Sequence, residues 1–183
     1  MAEAVATRSG PLDGLIAGSV GVAIAPTAPA HRISLRVGEE GIPALNKALG
    51  IELPMEAKTS VTAKSGRMAL WLGPDEWLGI DEKGDPMADV AGTDAFFSVV
   101  DVSHRNTAIK VAGRGARATL EAGCPQDLSD SAFPIGACSR TVLGKIEVVL
   151  MRTDANAYRI ECWRSFAEYA FEFLADAAHD CMA

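Results

Sequence analysis

The sequence predicts an α+β fold made of two similar β-α-β units with mostly antiparallel sheets. One order of elements occurs twice: a strand-like segment, a short helix that ends at a glycine, and two apolar segments around an Asp-containing turn. The copies begin at 33–37 and 107–111 and lie roughly 74 to 81 residues apart. Because solenoid repeats are shorter and need at least three units, two long copies indicate one domain whose halves share a sheet.

The first copy contains a helix between two groups of strands. A helix is predicted over residues 41–50, because Pro43 lies in its first turn and Gly50 follows its last apolar residue. The segments 67–72 and 76–80 are rich in apolar and aromatic residues and flank a Gly-Pro-Asp turn, which predicts a strand pair.

The second copy follows the same order. A β-branched and aromatic segment at 96–102 predicts a strand that leads into the copy. The strand at 107–111 is followed by a short helix that ends at Gly123, and then by two strands at 146–151 and 157–162.

A final helix is predicted from a capping-box pattern formed by Ser165 and Glu168. Apolar residues at helical spacing predict its buried face: Phe166, Ala170, Phe173, Leu174 and Ala177. Acidic residues recur every four positions on another face, which favours a solvent-exposed face over a dock for a basic partner.

The sequence also predicts the domain limits. Residues 1–30 are expected to form an extended arm, since the uncharged stretch 14–30 is rich in Gly and Pro and too short for a confident membrane span. Residues 31–183 are expected to form one duplicated domain, with halves at about 31–95 and 96–183.

Composition excludes several classes of function. The chain is 49% hydrophobic and 22% charged, which is the balance of a folded globular protein. Its net charge of -7 argues against nucleic acid and anionic membranes as partners, since both attract clustered Lys and Arg.

The amino end lacks the basic start of a secretory signal, so we expect a reducing, cytoplasmic location. The four cysteines form no C-x-x-C pair, so no metal site is predicted: Cys124, Cys138, Cys162 and Cys181.

Asp101, Ser103 and His104 have the residue types of a catalytic triad. On one strand, however, Asp101 and Ser103 would share a face while His104 points to the other. A triad needs all three groups in one hydrogen-bonded chain. We therefore expect Asp101 and Ser103 to satisfy backbone donors at a strand end, and His104 and Arg105 to meet solvent or a neighbour.

The segment from Gly113 to Ala118 fits the dinucleotide-binding pattern G-x-G-x-x-A. The following helix is short, and no strand ending in an acidic residue occurs about twenty residues later. A tight turn is therefore the better explanation.

Tryptophans 71, 77 and 163 are typical core residues of strands, although Trp71 and Trp77 flank one turn and could bind a partner or a flat ligand.

The segment 99–128 resembles the folate-binding family that includes the aminomethyltransferase of the glycine cleavage system. The match rests on Asp101-Val102-Ser103-His104, Gly113, Leu120 and Asp127-Leu128. Within that superfamily, an ordered set of motifs is similar to the gamma-subunit family of heterotetrameric sarcosine oxidase. These motifs are Gly10-Pro11-Leu12 and the segments 70–80, 100–105, 132–141 and 164–174.

The resemblance implies two swapped β-α-β units and a place in a complex that demethylates sarcosine to glycine with production of hydrogen peroxide and methylene-tetrahydrofolate. It implies that FAD, FMN, NAD and tetrahydrofolate are bound by other subunits. This chain would then be a non-catalytic structural partner of the alpha, beta and delta subunits. No catalytic, cofactor-binding or metal-binding residue is accordingly predicted. The candidate partner contacts are Pro11, Leu12, Trp77, His104 and Arg105.

Two alternatives stay open. The chain could be a stand-alone folate-binding or one-carbon transfer protein, or a free adaptor that retains the fold. Where the aminomethyltransferase carries an acidic pair ahead of its second-half strand, this chain has Lys145-Ile146-Glu147, which argues against independent folate chemistry.

Overall fold

Two antiparallel sheets pack face to face, and helices cover their outer faces. The computed structural model describes residues 10–180. The first sheet has the strand order β4-β5-β6-β3-β7. Its strands are β3 (His31–Val37), β4 (Ser60–Thr62), β5 (Met68–Gly73), β6 (Glu76–Asp81) and β7 (Phe97–Asp101). The second sheet has the order β1-β2-β8-β11-β10-β9. Its strands are β1 (Ala17–Ser19), β2 (Val22–Pro26), β8 (Asn106–Ala112), β9 (Cys138–Leu143), β10 (Ile146–Asp154) and β11 (Ala157–Trp163).

Four helices complete the described part of the chain. They are α1 (Ile42–Leu49), α2 (Pro86–Asp89), α3 (Ala116–Glu121) and α4 (Ala167–Asp180). The first two pack on the first sheet, and α3 and α4 pack on the second. Because each half keeps its helices on its own sheet, the predicted α+β duplication is confirmed, whereas the expectation that the halves share one sheet is wrong.

The two halves exchange strands. Strands β1 and β2 precede the first half in sequence but lie in the second sheet, where β2 pairs with β8 and Ile24 lies opposite Val111. Strand β7 precedes β8 in sequence but pairs with β3 of the first half, with Leu35 opposite Val99. Each sheet therefore contains a strand that comes from the segment leading into the other half.

Residues 17–26 correct the predicted limit of the arm. The sequence analysis placed residues 1–30 outside the domain, whereas β1 and β2 are part of the second sheet. The physical reason is that Val22 and Ile24 alternate with exposed positions and bury their side chains in the core beside β8. Residues 1–9 of the predicted arm, and Cys181, lie outside the described residues.

The layer between the sheets has an apolar part and an ionic part. Along a strand, side chains alternate between the core beneath the helices and the layer between the sheets, because successive residues of a pleated strand point to opposite faces. The apolar part joins β5 and β6 of the first sheet to β9 and β10 of the second through Met68, Leu70, Leu78, Ile80, Cys138 and Met151. The ionic part joins β3 to β11 through Arg32 and Glu161. The two halves are thus held together by both packing and charge.

The two predicted helix-ending glycines serve different purposes. Gly50 has the left-handed φ of 63° and caps α1, as predicted. Gly123 follows the cap residue Ala122, and a Cβ at Gly123 would lie 2.4 Å from the ring of Phe173. Glycine is therefore needed at 123 because α4 packs closely there, and not because of an unusual φ.

The last helix differs from its prediction at its start. A 3-10 turn over Arg164–Phe166 precedes it, and α4 begins at Ala167, so Ser165 lies outside the α-helix. This turn leaves Phe166 exposed and places Phe171 in the core. The predicted burial of Ala170, Leu174 and Ala177 is confirmed.

Candidate functional site

A cleft of about 670 Å³ lies where the N-terminal segment meets the start of β3 and the loop after β7. Its lining comes from residues 10–13 and 26–32, from the end of β7 and the loop after it, and from Glu82 and Arg164. Strand β7 belongs to the segment that leads into the second half but pairs with β3 of the first half. The exchanged strand therefore brings parts of both halves to the cleft.

Three of the five predicted partner contacts meet at this cleft and beside it. Pro11 and His104 line the cleft. Pro11 also lines an adjoining hollow of about 470 Å³ together with Arg105. His104 and Arg105 are exposed, and Pro11 is half-buried. Their positions agree with the expectation that this region faces solvent or a neighbour.

The other two predicted contacts are covered by the chain itself. Leu12 is 1% exposed because it packs into the core of the second half. Trp77 is 0% exposed, packs in the core beneath α1, and donates its indole N–H to the carbonyl oxygen of Pro54 at 2.7 Å. Neither side chain can contact a partner in this fold, so these two predictions are wrong.

Asp101 and Ser103 support the backbone, as predicted. The backbone N–H of Ser103 donates to the Asp101 carboxylate at 2.8 Å. The Ser103 hydroxyl accepts from the backbone N–H of Arg32 at 2.9 Å, which fixes the loop after β7 to β3. Hydrogen bonds from Ser103 hold the pKa of Asp101 below its usual value, so its carboxylate is ionised at neutral pH. A general base should have a pKa near the working pH, and Asp101 does not.

A buried ionic network lies behind the cleft. Glu161 on β11 accepts from Arg32 on β3 at 2.6 Å and from Arg159 at 2.8 Å. Arg159 continues to Glu82 at the cleft wall, 3.2 Å away. Arg32 and Glu161 are 3% and 2% exposed, so their charges are removed from water and depend on each other. The network ties the two sheets together at the cleft.

Two buried thiols are held in their neutral form. Burial raises the pKa of both Cys138 and Cys162 to about 12. The thiolate is the reactive form of cysteine, so neither side chain is an activated nucleophile at neutral pH.

Within residues 10–180, no group of three or more His, Cys, Asp and Glu side chains could hold a metal ion.

The G-x-G-x-x-A segment is a structural turn. Gly113 has a φ of +125°, and a Cβ there would lie 2.2 Å from the carbonyl oxygen of Gly21. The backbone N–H of Gly115 donates to the same oxygen. The glycines therefore allow the β1–β2 turn to approach α3, in agreement with the tight turn predicted from the sequence.

The adjoining hollow has an aromatic wall that the sequence analysis missed. The rings of Trp163 and Phe166 stack with centroids 5.9 Å apart, and the guanidinium carbon of Arg105 lies 5.5 Å from the Trp163 centroid. Trp163 is 44% exposed and Phe166 is 39% exposed. Alternation along β11 gives no signal of this exposure, because residues 158–162 are buried on both faces of the strand and Trp163 is exposed at its end.

Comparison with known proteins gives one consistent result. The profile described as "Sarcosine oxidase, gamma subunit family" matches residues 40–180. A sarcosine oxidase subunit gamma of Corynebacterium sp. (strain P-1) is 34% identical over 143 residues, which cover 76% of this chain and 70% of the relative. None of the helices in the part of the chain that the structure describes has the length and apolar character needed to cross a membrane.

Solved structures agree with the sequence comparison. A chain of the heterotetrameric sarcosine oxidase from Corynebacterium sp. U-96 in complex with pyrrole 2-carboxylate superposes with a TM-score of 0.88 and 30% identity. The match covers 96% of this chain and 97% of that chain. The glycine cleavage system aminomethyltransferase T from Bartonella henselae shares the fold at a TM-score of 0.63 and 12% identity, over 87% of this chain and 49% of that chain. This chain belongs to the sarcosine oxidase gamma subunit family.

Proposed function

We propose that this chain is a non-catalytic structural subunit of a heterotetrameric sarcosine oxidase, where it assembles with alpha, beta and delta subunits. The observation that carries the proposal is the superposition on a chain of such a complex with a TM-score of 0.88. The superposition covers 96% of this chain and 97% of that chain, so the likeness extends to the whole fold and not to one motif.

The chemistry of the cleft supports a non-catalytic role. Its serine hydroxyl is engaged by the backbone of Arg32, and the pKa of Asp101 lies below the range useful for proton transfer at neutral pH. The buried thiols are neutral. Ser103 holds the loop after β7 to β3, and Cys138 and Cys162 pack in the hydrophobic cores.

The proposal assigns the cofactors to other subunits. FAD, FMN, NAD and tetrahydrofolate would be bound by the remaining chains of the complex, and the complex would act in the cytoplasm. The three described cysteines are free and buried, which is typical of a chain that folds in a reducing compartment.

Co-purification tests the proposal. The full chain with an affinity tag is co-expressed with the alpha, beta and delta subunits, and the stoichiometry of the isolated complex is measured. We expect one copy of each subunit. Recovery of the tagged chain alone would contradict the proposal.

An Asp101→Asn variant tests the non-catalytic part. Asparagine keeps the oxygen that accepts from Ser103 but removes the charge from the cleft. We expect sarcosine oxidation by the assembled complex to stay within about twofold of wild type, because the change removes no reacting group and costs little stability. A loss of a hundredfold or more in kcat, with assembly intact, would show that the cleft takes part in the chemistry.

The rival function is folate binding by the chain on its own. The observation in its favour is the cleft, whose volume lies within the range of small-molecule sites. Titration of the isolated chain with a reduced folate decides between the two functions. Saturable binding of the folate below millimolar concentration, weakened by substitutions of residues that line the cleft, would support folate binding as the function.

A further inference from the structure

The hollow beside the cleft has the composition of a protein-binding site. It is lined by Pro11, Arg105, Trp163, Arg164 and Ser165. Tryptophan and arginine are enriched among the residues that contribute most to binding between proteins. Two stacked aromatic rings are left in contact with water here, so a partner that covers them gains the free energy of burying that surface.

The hollow is also positive in a chain that is negative overall. The described residues that line it include Arg105 and no carboxylate, whereas the whole chain has a net charge of -7. Among residues 10–180, no carboxylate lies within ion-pair distance of Arg105. The local charge thus fits an acidic group on a partner.

Arg105 is placed to bind a carboxylate while it stays on the tryptophan. Its guanidinium carbon lies 5.5 Å from the centroid of the Trp163 ring. A stacked guanidinium keeps its N–H donors in its own plane, at the edge of the stack, where they can bind both oxygens of a carboxylate. Apart from a 3.4 Å contact from Nε to Asn106, the described residues take up none of these donors.

The backbone holds the hollow in a fixed shape. Trp163 pairs with Asn106 at the end of the β8–β11 ladder. The backbone N–H of Arg164 donates to the carbonyl oxygen of Arg105 at 2.7 Å. A site on joined sheet strands loses little conformational entropy on binding, which raises affinity.

We infer that the hollow lined by Arg105 and Trp163, with Phe166 stacked on Trp163, is the docking site for a segment of a partner subunit that presents an Asp or Glu carboxylate next to an apolar side chain. The carboxylate pairs with Arg105, and the apolar side chain fills the hollow against Trp163. This inference rests on the proposed function, because it assumes that the other oxidase subunits are the partners.

The test starts from the complex that the tagged full chain forms when it is co-expressed with the alpha, beta and delta subunits, and dilution of the purified complex gives the affinity of this chain for the other subunits. Arg105→Glu should weaken binding by about tenfold or more, which is typical of the loss of a residue at the centre of an interface. Trp163→Ala should weaken it to a similar extent. The matched control is Arg114→Glu, since Arg114 is an exposed arginine at the opposite end of β8 and should leave the affinity within about twofold.

Salt gives a second readout. Binding of the wild-type chain should weaken as ionic strength rises, and Arg105→Ala should reduce that dependence because it removes the charge pair. Circular dichroism melts show whether each variant is folded. If Trp163→Ala does not fold, Arg105→Glu still decides the question, because Arg105 is exposed and lies outside the core.

The outcomes separate the two proposals. If the wild-type chain binds and Arg105→Glu binds equally well, the docking site is wrong and the proposed function stands. If the wild-type chain does not bind the other subunits, both are wrong. If the isolated chain dimerises and Arg105→Glu abolishes the dimer, the hollow is a contact between copies of this chain, and the inference is overturned.

Discussion

Glu161 is the residue on which the contact between the sheets depends most. Its carboxylate lies between the guanidinium groups of Arg32 and Arg159, and it is 2% exposed. The Nη2 atom of Arg159 is buried without a hydrogen-bond partner among the described residues. The network therefore has too few acceptors, and the loss of Glu161 would leave the buried Arg32 unpaired and Arg159 with Glu82 as its remaining carboxylate.

We expect Glu161→Gln to lower the free energy of unfolding by about 3–5 kcal/mol, because breaking a buried ion pair leaves an uncompensated buried charge. Urea denaturation followed by circular dichroism measures the change. Glu147→Gln is the control, since the Glu147 side chain is 58% exposed and lies 4.0 Å from Arg140. The control should differ from wild type by less than about 0.5 kcal/mol. Equal stability of the two variants would show that the network contributes nothing.

The roles of some single residues were predictable from the sequence, and those of others were not. The roles of Asp101 and Ser103 followed from strand alternation, which is a local rule. Trp77 and Leu12 were assigned to the surface, and the Arg32–Glu161 pair was not foreseen. These features depend on contacts between residues far apart in sequence, about which local patterns carry no information.

At the scale of elements, Arg67 joins three parts of the first half. Its guanidinium donates to the carbonyl oxygen of Leu49 at the end of α1, to Asp81 at the end of β6, and to Asp89 in α2. Burial alone would raise the pKa of Asp81. Hydrogen bonds from the Gly84 and Lys83 backbone and from Arg67 outweigh it and lower that pKa below its usual 3.8.

The lowered pKa of Asp81 determines in which direction the stability of the fold changes with pH. The ionised Asp81 stabilises the fold above the pKa that it has in the unfolded chain, and this contribution is lost as the pH falls through its folded pKa. Asp81→Asn should therefore cost about 1–3 kcal/mol at pH 7, which is the size of hydrogen bonds to a charged group. The difference from wild type should shrink below about pH 4. Asp75→Asn, at a carboxylate whose side chain is 58% exposed, is the control. A difference between wild type and Asp81→Asn that does not change with pH would contradict this account.

Gly113 tests the contact between the β1–β2 turn and α3. Alanine there must adopt a φ of +125° and place its Cβ 2.2 Å from the Gly21 carbonyl oxygen. We expect Gly113→Ala to lower the thermal midpoint, with a cost of about 1–3 kcal/mol from the backbone conformation alone. Gly38→Ala is the matched control, because Gly38 has a φ of -76° and a Cβ added there would meet no atom within 4 Å. Equal midpoints for the two variants would refute the close approach.

Most long elements were predictable, and the short strands were not. The strands of both repeats and the helices α1, α3 and α4 follow from apolar periodicity and from glycine or proline at their ends. Strands β1, β2, β4 and β9 were missed. They are short or contain Gly, Ser, Thr and Arg, and they are stabilised by pairing with distant strands.

At the scale of the whole molecule, the strand exchange makes the two halves depend on each other. A fragment of residues 31–95 lacks β7, and a fragment of residues 96–183 lacks β2. Each would expose an unpaired strand edge and part of its core. We therefore expect the full chain to unfold in one cooperative transition.

Complementation tests this dependence. The fragments 1–95 and 96–183 should each be largely unfolded alone, since each carries the strand that the other needs. Mixed at equal concentration, they should associate and recover the circular dichroism spectrum and the melt of the intact chain. A native-like cooperative melt from either fragment alone would show that the halves are independent.

The resemblance seen in the sequence identified the family and implied the swapped architecture, and the duplication predicted two similar halves. The cleft and the adjoining hollow were only partly predictable. Their lining residues Pro11, His104 and Arg105 belong to sequence motifs, whereas the exposure of Trp163 depends on the turn that precedes α4.

The most direct test of the central claim is sarcosine-dependent hydrogen peroxide production by the alpha, beta and delta subunits, co-expressed with and without this chain. Because the chain is proposed to act by holding the complex together, we predict an active complex in its presence. In its absence we predict a loss of both activity and the assembled mass. Equal activity and an intact complex of the other three subunits without this chain would contradict the account.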